Sequence, residues 1–279
     1  TGSVSSNSVT VTITDTGLQA LTDGQSYTMT ANVSDAAGNA ASEVTSSAFT
    51  VNSSLPTIAA IETSAFSWGS LLNASEDNAN GTVSITTTGV DNGQTLTITL
   101  NSANYTATVN ANSASVTITD TGLQALTDGQ SYTMTANVSD ADGNAAAEVT
   151  SSSFSVDTTL PSISAIATSA FSWGAVLNAT EDNANGTVTV TTTGVEDGQT
   201  LTLVLNGANY TGSVSSNSVT VTITDTGLQA LTDGQSYTMT ANVSDAAGNA
   251  ASEVTSSAFT VNSSLPTIAA IETSAFSWG

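Results

Sequence analysis

Carboxylate side chains dominate the chemistry available to this chain. It carries 23 Asp and Glu residues and no Lys, Arg or His, so its formal net charge is −23. No carboxylate can therefore pair with a basic side chain, and close carboxylates repel each other by roughly a few kcal/mol. Calcium accepts about six to eight oxygen ligands in tolerant geometry, whereas magnesium demands a small octahedron. We therefore expect calcium to neutralise clusters of these acids.

The composition also argues against several classes of function. Without Cys, His or Lys only carboxylate chemistry remains for catalysis, and ion binding already explains the acids, so we do not expect an enzyme. Its charge argues against DNA, RNA and anionic membranes as partners, because their binding depends on Lys and Arg. No apolar run approaches the roughly 18 residues of a membrane span, so we expect no membrane insertion. The simplest alternative explanation of the acids is a surface that keeps the protein soluble.

An internal repeat organises these acids. Residues 20–40 read ALTDGQSYTMTANVSDAAGNA, and the segment returns at residues 125–145 with Asp142 in place of Ala37, then unchanged at residues 230–250. A unit of about 105 residues can bury its own core, so we expect each repeat to be a domain. Landmarks at this spacing include Pro56, Pro161 and Pro266.

The boundaries of the repeats are expected just before each Leu-Pro pair, where a short polar linker precedes the proline. Residues 1–54 are then the C-terminal part of a repeat, residues 55–159 and 160–264 are complete repeats, and residues 265–279 begin a further one. Residues 1–69 and 211–279 are identical, and both ends of the chain fall within a repeat. We therefore expect the chain to be part of a longer array.

Each complete repeat is predicted to be an all-β immunoglobulin-like sandwich of about seven strands. In residues 20–40, Tyr27, Met29 and Val33 alternate with polar residues, which is typical of a half-buried strand. Seven such strands in about 105 residues fit this sandwich. A helical turn and a tyrosine corner at Tyr237 are expected between the fifth and sixth strands. In the last complete repeat the strands are predicted at residues 163–168, 187–193, 200–205, 210–214, 219–224, 237–244 and 254–261.

Strand order predicts which acids meet, because alternate loops of such a sandwich fall at alternate ends. At the joint between the complete repeats, the first repeat is expected to contribute Glu76, Asp77, Asp120, Asp128 and the linker Asp157. The second is expected to contribute Glu196, Asp197, Asp245 and the amide of Asn249. Equivalent candidate calcium ligands are Asp15, Asp23, Asp35, Asp91, Asp140, Asp142, Glu181, Asp182, Asp225 and Asp233.

Three positions distinguish the joints from one another. Asp142 adds a carboxylate and is expected to provide an extra or tighter ion site. Asn52 and Asn262 replace Asp157 at the other linkers, which keeps an oxygen and loses a charge, so we expect weaker ion binding there. One acid precedes the repeated strand and another follows it, so Asp128 and Asp140 are expected to face different joints.

The motifs GVEDGQTLTLVLNGANYTGSV and VTITDTGLQALTDGQSYTMTANVSDAAGNAA, followed by a linker that ends in Pro, carry a family resemblance. They resemble the bacterial immunoglobulin-like repeats of giant RTX-type adhesins, and above all the extender repeats of a marine ice-binding adhesin. The resemblance implies an extracellular stalk on a bacterial cell surface, exported by a type I system and made rigid by calcium between neighbouring repeats. Other domains would bind the distal ligand, such as ice, a glycan or a protein.

Two other binding functions remain open from the residues alone. Rows of Thr, such as Thr220, Thr222 and Thr224, could bind ice or another surface if several rows lie side by side on a flat face. Trp68 or Trp173 could instead provide a stacking platform for a carbohydrate near calcium. Burial of the indole rings would argue against the second function.

Overall fold

The structure is a computed structural model that describes residues 1–270 and 275. These residues form two compact units: the first contains Thr1–Ser67, Thr82–Ile118 and Thr133–Ser153, and the second contains Trp68–Gly81, Thr119–Tyr132 and the described residues from Phe154 onward. Most of the predicted start of a further repeat, at residues 271–274 and 276–279, lies outside the described residues. Within the described part, the helices are too short or too polar to cross a lipid bilayer.

The regular structure of the described chain consists of short strands, three α-helical turns and two 3₁₀ turns, at Thr63–Ala65 and Thr168–Ala170. Residues 1–54 contain α1 (Asp15–Gln19), β1 (Ser26–Tyr27), β2 (Thr30–Ala31), β3 (Val44–Thr45) and β4 (Phe49–Thr50). Residues 55–159 contain β5 (Thr57–Ile58), β6 (Leu71–Asn73), β7 (Gly81–Thr88), β8 (Thr95–Leu100), β9 (Ala103–Thr108), β10 (Ser113–Ile118), α2 (Asp120–Gln124), β11 (Ser131–Tyr132), β12 (Met134–Asn137), β13 (Val149–Thr150) and β14 (Phe154–Asp157). Residues 160–264 contain β15 (Ser162–Ile163), β16 (Val176–Asn178), β17 (Gly186–Thr193), β18 (Thr200–Leu205), β19 (Ala208–Ser213), β20 (Ser218–Ile223), α3 (Asp225–Gln229), β21 (Ser236–Tyr237), β22 (Met239–Asn242), β23 (Val254–Thr255) and β24 (Phe259–Asn262).

Residues 160–264, all in the second unit, show the sandwich most completely. Their sheets have the strand orders β15-β17-β20, β19-β18-β22-β23 and β16-β24-β21. Apolar and polar side chains alternate along each long strand, so one face of the strand points into the core. Leu201, Leu203, Val221 and Met239 are fully buried in one core. The predicted fold class, a tandem all-β immunoglobulin-like sandwich, is confirmed.

The same sheet orders occur earlier in the chain, divided between the two units. The first unit contains the sheets β10-β7-β5 and β13-β12-β8-β9, together with the pairs β1-β4 and β2-β3. The second unit contains the sheet β11-β14-β6.

The first predicted strand, residues 163–168, is wrong in its extent. The strand β15 ends at Ile163, and a 3₁₀ turn at Thr168–Ala170 redirects the chain. A separate strand, β16, then pairs in parallel with β24, with Val176 opposite Thr260 and Asn178 opposite Asn262. The first part of the repeat therefore contributes to two different sheets.

The sixth and seventh predicted strands also divide, each into two short strands. The side chain of Ser256 explains the break, because its Oγ accepts a hydrogen bond from the backbone N–H of Met239 at 2.9 Å. The N–H of Ser256 in turn donates to the carbonyl of Met239 at 2.8 Å. The Ser256 hydroxyl thus accepts the bond that a backbone carbonyl would accept in a regular ladder. Beyond this break, β22 pairs with β23 in one sheet and β21 pairs with β24 in another.

The predicted helical turn and tyrosine corner are confirmed. The helix α3 begins after Thr224, whose Oγ1 accepts a hydrogen bond from the N–H of Gly227 at 3.2 Å and so caps the helix. Leu228 on this turn is buried in the core. The hydroxyl of Tyr237 accepts a hydrogen bond from the N–H of Thr232 at 2.9 Å, which fixes the crossing between the fifth and sixth predicted strands.

The tryptophan of the repeat is a core residue. Trp173 is 5% exposed and packs edge-on against Phe259, with their ring centroids 5.3 Å apart. A Cβ atom added to Gly186 would lie 2.5 Å from Trp173 Cζ3, so only glycine fits beside the ring. Trp68 is buried to the same extent.

Candidate functional site

In the second unit, the loops that precede β18 and follow β22 meet at one end of the sandwich. The carboxylate of Glu196 accepts a hydrogen bond from the N–H of Ala246 at 2.8 Å, and Asp197 accepts one from the N–H of Ser216 at 2.6 Å. The first contact joins the two loops that strand order predicts to be neighbours, and the second joins the loop before β18 to the turn between β19 and β20. Both acids thereby have backbone donors where basic side chains are lacking.

Asp245 closes its own loop, a role that sequence reasoning missed. Its Oδ1 accepts a hydrogen bond from the N–H of Asn249 at 2.8 Å, and its Oδ2 accepts one from Asn249 Nδ2 at 2.9 Å. Both side chains are buried. The sequence signal for this loop closure is an Asp and an Asn four residues apart in the DAAGN motif. Asp140 and Asn144 make the same pair of hydrogen bonds in their loop.

Asn249 also connects this loop to residues of the preceding repeat within the second unit. Its Oδ1 accepts a hydrogen bond from the N–H of Ala74 at 2.7 Å, and its Nδ2 donates to the carbonyl of Asp157 at 2.9 Å. Asn73 Nδ2 donates to the carbonyl of Ala247 at 3.1 Å. A network of amides thus joins consecutive repeats, and Asn73 is a member that sequence reasoning did not identify.

Asp157, the linker acid at the end of β14, lies close enough to other acids of this joint to be affected by their charge. Partial burial raises its pKa above the ordinary value, and the negative charge of Asp245 raises it further. Asp128 and Glu196 add smaller effects in the same direction, although the N–H of Thr159 opposes them. A cation near Asp157 would relieve a repulsion that no basic side chain of this protein can relieve.

Asp128, in contrast, is held firmly by the linker that follows Asp157. Its carboxylate accepts hydrogen bonds from the hydroxyl of Thr159 at 2.6 Å and from the N–H of Thr158 at 2.6 Å, and these bonds lower its pKa. Asp23 is bound in the same way by the linker serines Ser53 and Ser54, and its pKa is lowered to about 2.

The other candidates of the preceding repeat are engaged in local bonds. Glu76 accepts from the N–H of Asn73 at 3.1 Å, and Asp120 accepts from the N–H of Thr121 at 2.7 Å. Asp77 accepts from the Asn78 amide at 3.0 Å, and burial raises its pKa. These bonds order the loops of the joint.

The first unit contains an equivalent joint with different chemistry. Asn52 occupies the linker position, and its Nδ2 donates to Asp142 Oδ2 at 2.7 Å and to Asp140 Oδ2 at 3.2 Å. We expected Asn52 to keep an oxygen for a cation, but its amide nitrogen faces the two acids instead. Asp91 accepts from the N–H of Ala141 at 3.0 Å, as Glu196 accepts from Ala246.

The remaining candidate ligands also bind groups near to them in the sequence. Asp35 accepts from Asn39, Asp15 from the N–H of Thr16, and Asp225 from the N–H of Thr226. Glu181 and Asp182 likewise accept from Asn178 and Asn183. Asp233 is the exception, because it accepts from the N–H of the linker residue Ser263, as Asp128 accepts from Thr158. Among the described residues, no three acidic side chains converge in a preformed metal site.

Comparison with known proteins gives one family match. The model of the T-Q ester bond containing domain matches residues 83–205, which is less than half of the chain. The matched range begins within β7 and ends with β18, and so crosses the predicted boundary before Pro161. No curated protein matches the chain.

Several solved structures are similar to the chain. A 1.5-MDa bacterial ice-binding adhesin, studied for its retention at the host cell surface, is 27% identical over 94% of this chain and 82% of that chain, with a TM-score of 0.45. A Ca²⁺-stabilised adhesin that helps an Antarctic bacterium bind ice is 30% identical over 86% of this chain and 57% of that chain, with a TM-score of 0.46. A bacterial immunoglobulin-like domain from the M. primoryensis ice-binding adhesin is 30% identical over 37% of this chain and 96% of that domain, with a TM-score of 0.27. The identity across nearly all of that single domain, and not the superposition, establishes the relationship.

Proposed function

Since this chain belongs to the bacterial immunoglobulin-like repeats of large adhesins, we propose that it is an extender segment of an adhesin stalk on a bacterial cell surface. The observation that carries this proposal is the amide network of the second unit. Asn249 bonds both to the N–H of Ala74 and to the carbonyl of Asp157, which links two consecutive repeats directly. Direct hydrogen bonds between consecutive repeats limit bending at the joint, as a spacer that holds ligand-binding domains at a distance requires.

We propose further that calcium makes this joint rigid. The carboxylate of Asp157 is half-buried and lies within the electrostatic influence of Asp245, Asp128 and Glu196. These hard oxygen donors fit calcium, which also accepts backbone carbonyls and water. Asp157 and the free lone pairs of its neighbours would hold the ion, and the ion would supply the missing positive charge. In its absence, repulsion at Asp157 should loosen the joint.

Solution scattering of the whole chain, with calcium and with a chelator, tests this proposal. We expect a larger maximum dimension and a narrower range of conformations with calcium. The matched control is Asp157→Asn, which gives the joint the linker residue of the first unit. Its scattering should respond much less to calcium. A wild-type maximum dimension that is unchanged by chelation would contradict the proposal.

Ice or surface binding is a second candidate, and one observation favours it. The ladder between β17 and β20 places Thr187 opposite Thr222 and Thr189 opposite Thr220, so two Thr rows do lie side by side. The hydroxyls of Thr189 and Thr220 are 3.5 Å apart. These rows are short and lie on sheets that twist. Ice-affinity partitioning of the chain tests this function, and recovery of the chain in the liquid would count against it.

Carbohydrate stacking on the tryptophans has no such support. Trp68 and Trp173 are each 5% exposed and therefore present no ring face to a sugar. The relatives are segments of adhesins and give no indication of an enzyme.

A further inference from the structure

Asn-Gly pairs are positions where a protein's own backbone can attack an asparagine side chain. Glycine has no Cβ atom to shield the backbone nitrogen that follows the asparagine. The chain has four such pairs, at residues 80–81, 92–93, 185–186 and 206–207. The structure distinguishes these pairs by how firmly the two reacting groups are held.

The pair at residues 92–93 is held by hydrogen bonds on both groups. Asn92 Oδ1 accepts a hydrogen bond from the N–H of Ala111 at 2.7 Å. The N–H of Gly93 donates to the carbonyl of Val109 at 2.9 Å. Both bonds must open before the nitrogen of Gly93 can reach the Asn92 side chain.

The pair at residues 185–186 is held by a hydrogen bond and by packing. Asn185 Oδ1 accepts from the N–H of Asp225 at 3.0 Å, where α3 begins. Gly186 is the first residue of β17 and lies directly against the ring of Trp173. The pair at residues 80–81 is held in the same way.

The pair Asn206–Gly207 forms the turn between β18 and β19, and it is open. Leu205 lies opposite Ala208, so the turn has two residues, and their φ angles of 50° and 79° are those of a type I′ turn. Both residues are exposed. Within the described part of the chain, nothing hydrogen-bonds to the Asn206 side chain or to the N–H of Gly207.

We propose that Asn206 is a site of spontaneous deamidation. The backbone nitrogen of Gly207 bonds to Cγ of Asn206, the Cγ–Nδ2 bond breaks, and ammonia leaves with the proton that the Gly207 nitrogen loses. Water then opens the resulting succinimide ring at one of its two carbonyls, which gives aspartate or isoaspartate. The reaction adds one negative charge, and it depends on this turn and not on the proposed stalk function.

The two products affect the hairpin differently. Asp-Gly is itself favoured in type I′ turns, so the aspartate product keeps Leu205 opposite Ala208. Isoaspartate adds a methylene group to the backbone of a two-residue turn, and the length of the turn sets the register of the strands. Because β19 is the edge strand of its sheet, it can detach while β18 stays paired with β22.

The test keeps the whole chain in mildly alkaline buffer and follows deamidation by mass spectrometry of peptides cut at Asp, since the chain has no Lys or Arg for trypsin. We expect Asn206 to react at least roughly tenfold faster than Asn92, where two hydrogen bonds must open first. It should also react faster than Asn80 and Asn185. Equal rates at the four pairs would overturn the proposal.

Gly207→Ser is the matched variant, because it creates the Asn-Ser turn of residues 101–102. Ser102 has a φ of 65°, so this turn accepts serine. Deamidation of Asn206 should fall to the rate of Asn217, which also precedes a serine in an exposed turn. An unchanged rate would overturn the proposal, because the glycine would then not direct the attack.

Amide hydrogen exchange tests the effect on the hairpin. In the isoaspartate fraction of the aged chain, the amides of Ala208–Ser213 should exchange roughly tenfold faster or more, because β19 loosens. Asn206→Asp should exchange like the wild type, since it has the normal backbone of the aspartate product. Unchanged protection of β19 in the isoaspartate fraction would contradict the expected loosening.

Discussion

Asn52 Nδ2 donates a hydrogen bond to Asp142 Oδ2 at 2.7 Å in the first unit. The equivalent linker residue in the second unit is Asp157, whose pKa is raised by partial burial and by the like charge of Asp245. In the first unit the linker residue thus donates a hydrogen bond to the acids of the joint. In the second unit the linker residue is itself a further acid. The two joints differ in how much they need an external cation, although they share a repeat sequence.

We predict that Asp157→Asn reduces the dependence of the chain on calcium. The added amide can donate to Asp245 as Asn52 donates to Asp140, so repulsion falls when calcium is absent. In a chelator, the melting temperature of the variant should exceed that of the wild type, and calcium should raise it less. Thermal melts with calcium and with chelator measure both effects.

The reciprocal variant Asn52→Asp provides the control. It should lower stability in chelator and increase the stabilisation by calcium, because it removes a donor from Asp140 and Asp142. Equal calcium responses of Asp157→Asn, Asn52→Asp and the wild type would contradict a role of the linker residue.

The pH dependence of Asp23 and Asp157 should have opposite signs. The pKa of Asp23 is lowered from 3.8 to about 2, so its bonds to the linker stabilise the folded state above about pH 4 and are lost as pH falls towards 2. The pKa of Asp157 is raised in the folded state, so the folded state loses stability as pH rises through the range in which Asp157 ionises.

Melting curves between about pH 2 and pH 7 in chelator check these signs. Asp23→Asn should lower the melting temperature near neutral pH and have little effect near pH 2. Asp157→Asn should raise it near neutral pH and have little effect at the acid end. A constant effect of either variant across the range would show that its carboxylate charge is not the cause.

Met239→Ala and Met29→Ala compare one substitution in two settings. Met239 is fully buried, so we expect a loss of roughly 2–5 kcal/mol in the free energy of unfolding of its repeat. Met29 is half exposed, so its loss should be close to zero, within about 0.5 kcal/mol. Denaturant titrations of the whole chain measure the difference. Equal losses would mean that Met29 is buried in solution.

Gly186→Ala should destabilise its repeat by about 1–3 kcal/mol, because the new methyl group would overlap the ring of Trp173. Tryptophan fluorescence during denaturant unfolding reports the change directly. Thr189→Ala, on an exposed position of the same strand, is the control and should change stability by less than about 0.5 kcal/mol. A neutral Gly186→Ala would indicate that the ring has room to shift.

Alternation and turn residues were sufficient to predict much of the fold. The spacing of Leu201, Leu203 and Leu205 predicted β18 with its observed ends, and the LTDGQSY motif predicted the bond of Tyr237. The short strand β16 could not be predicted, because its three residues are strand only through parallel pairing with β24. The break at Ser256 depends on a hydroxyl that replaces a carbonyl, which residue type alone does not reveal.

The candidate site was predictable to the level of which loops meet. Strand order brought Glu196 and the loop of Ala246 together, and the structure has them in contact. The role of each polar group was not predictable, because an amide such as Asn52 can present either its oxygen or its nitrogen. Asp245 was similarly ambiguous, since a carboxylate can bind a cation or close its own loop.

The parallel pairing of β16 with β24 has a mechanical consequence. The two strands lie near opposite ends of the repeat sequence, and Val176–Asn178 runs alongside Thr260–Asn262 in the same direction. Tension that enters at the amino end of β16 and leaves at the carboxyl end of β24 pulls the strands past each other. All hydrogen bonds of the pair then carry the load together in shear, instead of opening one after another as in unzipping. A repeat joined in this way resists stretching along the chain far better than peeling from the side.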